Sequence, residues 1–184
     1  MKTTKHKKLI FFIPTILISS LLFQNFTACK NLKSSPNFHE IYPTDSSILI
    51  LNSLPNSIDE SSGLVYFDST IWTHNDSGDD PYIYSLYPDN QTDTRKVFIQ
   101  NCKNRDWEEI AHDENFLYIG DFGNNRGNRQ DLVIYKVPKS ELKNDTISNF
   151  ERIEFQYPDQ TEFNNTAYHH NFDCEAMIAL GDYI

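Results

Sequence analysis

The chain of 184 residues carries 26 acidic against 16 basic side chains, for a formal charge of −10, with 39% hydrophobic and 14% aromatic content. That content is enough to bury a core and is not the composition of a disordered chain. The acidic balance argues against nucleic acid as a partner and against electrostatic attachment to an anionic membrane, both of which need clustered Lys and Arg.

Residues 1–28 read as an export signal. Lys2, Lys5, Lys7 and Lys8 form a positive start, and an apolar run over 9–22 follows. The run is shorter than the roughly 20 residues that span a bilayer. It leads into Phe26-Thr27-Ala28-Cys29. Removal of these residues takes away four lysines and no acid, which moves the formal charge from −10 to −14. Residues 29–46 are polar with two prolines and no apolar period, the pattern of a tether. Residues 47–54, rich in Ile and Leu and closed by Pro55, predict an isolated buried strand.

From residue 60 the chain repeats. Setting Asp106 against Glu60 and Asp173 aligns ESSGLVYFDSTIW (60–72), DWEEIAHDENFLY (106–118) and DCEAMIALGDYI (173–184) without gaps, at offsets of 46 and 67. Each copy has an acidic opening, a short apolar run, a polar turn and a second apolar or aromatic run, which predicts strand, turn and strand. The first unit offers strands at 64–67, 71–74, 82–87 and 96–100. The second offers 109–112, 116–120, 132–137 and 153–157. Four short strands per unit predict an all-β chain built from β-propeller blades, about two complete and part of a third, over 47–184. Two blades and a fragment cannot close a ring, so the expectation is the N-terminal part of a longer propeller.

The motifs ESSGL (60–64), WTHNDSG (72–78), DWEEIA (106–111), YIGDFGNNRGNR (118–129), YPDQ (157–160) and DCEA (173–176) resemble those of secreted six-bladed propellers of bacteria. The likeness is to the group described as esterase-like phytases and, more remotely, to regucalcin-type propellers, and above all to exported propeller proteins of Bacteroidetes-like bacteria. The stretch around Cys29 resembles a lipoprotein signal, with Phe26 where Leu is usual. It implies lipidation of Cys29, a membrane anchor through acyl chains, and an outer-membrane lipoprotein at the periplasmic face or the cell surface. The fold likeness specifies no activity.

In such a fold the first strand of each blade lies nearest the axis, so Glu60, Asp106, Glu108, Asp173 and Glu175 would converge on one channel mouth. Carboxylates from separate blades supply the oxygen ligands that Ca²⁺ or another hard divalent cation requires, and in regucalcin-type propellers similarly placed glutamates bind a divalent metal. The alternative is structural: each carboxylate accepts backbone N–H groups and fixes the register between units. Asn75 and Asp121, at equivalent places after the second strand, are further candidates for the mouth. The loops His74 to Asp80 and Gly120 to Asn125 are rich in oxygen ligands, but Asx turns need the same residues. His169 and His170, adjacent on an extended chain, point to opposite faces and read as surface loop. Arg126 and Arg129 have the forks for a phosphate, or for neighbouring carboxylates. Trp72 and Trp107 read as core. In an oxidising compartment Cys102 and Cys174 can form a disulfide. No Walker loop, G-x-S-x-G elbow or H-E-x-x-H helix occurs. Three classes of function stay open: a binding scaffold with an unknown ligand, a divalent-metal-dependent hydrolase of esters or phosphoesters, and a purely structural envelope module.

Overall fold

The computed structural model describes residues 54–88, 90–163 and 169–184. The export signal, Cys29, the tether and nearly all of the strand predicted at 47–54 lie outside them. No helix among the described residues is long and apolar enough to cross a membrane.

The described chain is all-β. Strands β1 (Ser61–Phe67), β2 (Thr70–Asn75), β3 (Tyr82–Tyr87) and β4 (Asn90–Ile99) form one antiparallel meander. Strands β5 (Trp107–His112), β6 (Phe116–Asp121), β7 (Leu132–Pro138) and β9 (Glu151–Phe155) form a second. All eight predicted runs are strands. A ninth, β8 (Thr146–Ile147), comes from the β7–β9 connection and pairs in parallel with β4. Arg95 fastens this strap by donating to the carbonyls of Leu142 and Asn144, both at 2.6 Å.

Local chemistry sets these elements. Asp68 and Ser69 both take positive φ (48° and 59°), the two-residue turn whose twist suits a hairpin. The next hairpin turns on Asp113, whose Oδ1 accepts the N–H groups of Asn115 and Phe116, each at 2.8 Å. The offset of 46 is exact in three dimensions: β1 and β5 start 46 residues apart, and β2 and β6 start and end 46 apart. Both first hairpins also carry a register shift near their open end.

The core lies between the two sheets. Trp72, Ile83, Val97 and Ile99 meet Trp107, Ile110, Leu117, Ile119, Val133 and Val137. Both tryptophans are core residues, as expected. The other face of the second sheet is also covered, with Tyr118, Phe122, Leu132 and Ile134 packed against Met177 and Ile184. That two-sided burial explains the unbroken apolar run of β7, since a strand buried on both faces does not alternate. Met177 and Ile184 are the counterparts, at offset 67, of the buried Ile110 and Leu117.

The third copy departs from expectation. Its turn forms, with Leu180 and Tyr183 exchanging two backbone bonds (2.9 and 3.0 Å) around Gly181-Asp182. Its strands do not, because an extended segment becomes a strand only beside a partner backbone, and no described residue pairs with 173–179.

Candidate metal centre

The acidic openings of the units are positioned by strand geometry. Asp106 immediately precedes β5 and Glu108 sits in its register shift, and the two flank Trp107, which is fully buried in the core. Asp173 and Glu175 have the same spacing in the third unit. Asp76 follows the end of β2, and its N–H donates to the Glu60 carbonyl at 2.9 Å.

Asp76, Asp106 and Glu108 form one cluster. Each offers a carboxylate oxygen, and these atoms lie within 4.8 Å of one another. That matches a single hard cation, because ligands about 2.4 Å from Ca²⁺ on opposite sides are about 4.8 Å apart. Gly123 is part of the same cradle. Its N–H donates to the Asp106 carbonyl at 3.2 Å, and a Cβ there would stand 2.1 Å from Glu108 Oε1 and 2.5 Å from Asp106 Oδ2. A side chain there would push both carboxylates away from the β6–β7 loop.

The two acids of the third unit join this face. Asp173 Oδ1 accepts the Asn124 N–H at 2.5 Å, and Asn124 Nδ2 donates to the Phe172 carbonyl at 2.8 Å. Glu175 stands close enough to Glu108 for each carboxyl to shift the other. Burial first, and then the charges of Glu175 and Asp76, push the Glu108 carboxyl up to about 8. Burial and Asp76 likewise raise Asp106, and burial and the neighbouring acids raise Glu175. Without a cation the cluster therefore holds a proton near neutral pH.

The remaining candidates fall elsewhere. Glu60 is exposed and touches the cluster only through its backbone carbonyl; its residue lines a separate cavity of about 420 Å³ with Asn75 and Asp79. Asn75 is buried, and its Nδ2 donates to the Ser57 carbonyl and to Asp79 Oδ2, both at 3.0 Å. Asp79 also accepts from Tyr84 and from the Asp80 N–H, so the 74–80 loop uses Asp79 for turn geometry. Asp121 is fully buried against Arg129 (2.8 Å), while its Oδ1 accepts the Asp106 N–H at 3.2 Å. It orients Asp106 from behind and is not one of the clustered ligands. Burial raises its carboxyl, and Arg129 opposes that rise.

Arg129 also donates to the Gly123 carbonyl at 2.9 Å and pairs with Asp131, which commits it to shaping this loop; Arg126 is exposed. His170 staples the same loop, with Nε2 3.2 Å from the Asn125 carbonyl and Nδ1 accepting the Phe172 N–H at 3.1 Å, while His169 is exposed. Cys102 and Cys174 are free thiols packed against different core clusters. Asp76 is the ligand that the repeat conceals, because its counterpart at offset 46 is Phe122. The signal that could have found it is its place one residue after Asn75, a position already assigned to the mouth.

No family model, no curated protein and no solved structure matches the chain.

Proposed function

We propose that this chain is an exported lipoprotein, anchored through Cys29 at the bacterial outer membrane, whose two sheets are β-propeller blades and whose acidic face is a divalent-cation-dependent binding scaffold. The observation that carries the reading is the Asp76, Asp106 and Glu108 cluster, drawn from two sheets and backed by the close approach of Gly123. Repeated four-stranded meanders at a fixed offset, packed face to face, support the blade assignment. Ca²⁺ is the favoured ion, because carboxylate oxygens from a loop and a strand end suit its size and loose geometry better than the strict octahedron of Mg²⁺.

Hydrolysis is the second reading, and the half-buried state of all three carboxylates favours it, since a substrate can reach an ion held there. The test is calorimetric titration of Ca²⁺ into the full chain and into Asp76→Asn and Glu108→Gln, followed by ester and phosphoester turnover with and without the ion. The scaffold reading expects one saturable site, weakened about tenfold or more in each variant, with no turnover. Cation-dependent turnover lost in the same variants would make the protein a hydrolase. Equal Ca²⁺ binding by wild type and both variants would remove the site and leave the structural module.

A further inference from the structure

A second site lies on the other side of Asp121. A cavity of about 590 Å³, within the size range of small-molecule sites, opens where the β4–β5 connection, β7 and β9 meet. Asp121 lines it as well as supporting Asp106, so the cavity adjoins the carboxylate cluster without sharing its ligands.

The charges of the cavity decide what it can hold. Arg105 pairs with Asp131, and Arg129 pairs with both Asp131 and Asp121, so these four groups cancel. Lys103 and Arg152 remain. Among the described residues, Lys103 has no carboxylate within ion-pair distance, and the fold uses only its carbonyl, which accepts from Trp107 Nε1 at 3.1 Å. Arg152 forms an ion pair with the exposed Glu154, at 3.3 Å, a pair of little energetic value in water. Its guanidinium carbon stands 5.4 Å from the centre of the Tyr135 ring, which is buried like Val133 and leaves almost none of its own surface to the cavity. Burial pushes both the Tyr135 hydroxyl and the Cys102 thiol up to about 12, so neither brings a competing negative charge. In a chain of charge −10, a concave surface that presents an unpaired lysine and a weakly paired arginine is the opposite of the general surface.

We propose that this cavity binds a small organic anion, a carboxylate or phosphate monoester, with Lys103 and Arg152 holding its charged end. The charged head fits the donors, since a guanidinium fork and an ammonium both bind such oxygens through charge-assisted hydrogen bonds.

The test uses the full chain in EDTA, so that the cation cluster plays no part, with benzoate, phenyl phosphate and phenol as probes followed by NMR or calorimetric titration. Binding of benzoate, of phenyl phosphate or of both, with phenol at least about tenfold weaker, supports the site, and the preferred anion identifies the head group. Lys103→Ala and Arg152→Ala are both exposed substitutions that leave the core intact, and each is expected to weaken the anion about tenfold. Phenol binding as tightly as the anions overturns the proposal. So does the absence of anion binding, or unchanged affinity in the Lys103→Ala/Arg152→Ala double variant.

Discussion

At the scale of single residues, the cluster depends on a buried ion pair that never touches the cation. Arg129 spans Asp121, Asp131 and the Gly123 carbonyl, and Asp121 in turn fixes the Asp106 N–H. Replacing Arg129 with Met leaves Asp121 charged and alone in the interior, and is expected to cost about 3–5 kcal/mol in urea unfolding, more than any exposed charge in the chain. Asp106, Glu108, Asp173 and Glu175 were legible in the sequence because repetition at unit openings is visible as spacing. Glu60 shared that spacing but stays out of the cluster, since its side chain is exposed and only its carbonyl is used. Asp76 was legible only as one of several oxygen ligands in the 74–80 loop, for the converse reason: it breaks the repeat. A ligand contributed once, by a loop, leaves no periodic trace.

At the scale of elements, the approach of β1 to β5 is set by Gly63. A Cβ at this position would stand 2.4 Å from the Ile110 nitrogen and 2.9 Å from the Glu109 carbonyl carbon, both backbone atoms that cannot swing away. Gly63→Ala is therefore expected to part the two first strands and destabilise the domain by about 1–3 kcal/mol, read as a fall of several degrees in Tm. Strands were legible wherever apolar residues run for four or more positions, as in β3, whose predicted bounds equal the observed ones. The two-residue β8 was not, because Thr146-Ile147 carries no period and exists only through its pairing with β4 and the anchoring of its loop by Arg95. The third copy showed the opposite error: its residues have the pattern of strands, and its turn and buried positions follow that pattern, but pairing depends on a neighbour that the pattern does not contain.

At the scale of the whole molecule, the carboxylate cluster ties stability to pH and to cations. Glu108 titrates near 4.5 when unfolded and near 8 when folded, so it favours the folded state below pH 4.5, and that contribution is lost as the pH rises through 8. His74 acts in the reverse sense: burial lowers its pKa from 6.5, so its effect is complete once the pH is above 6.5. Between about pH 7 and 8.5 Glu108 alone of these two still changes its protonation on folding. In EDTA, wild type should lose Tm across that window, Glu108→Gln should not, and saturating Ca²⁺ should restore the wild type by binding only the folded state.

The most direct measurement of the cation site is proton release when Ca²⁺ is added to the unbuffered chain at pH 7. A cluster that holds a proton on Glu108 must surrender it to admit the ion, so about one proton should leave for each Ca²⁺ bound, and Glu108→Gln should abolish the release. Binding that releases no proton, or release that survives in Glu108→Gln, would place the ion elsewhere and contradict the site described by Asp76, Asp106 and Glu108.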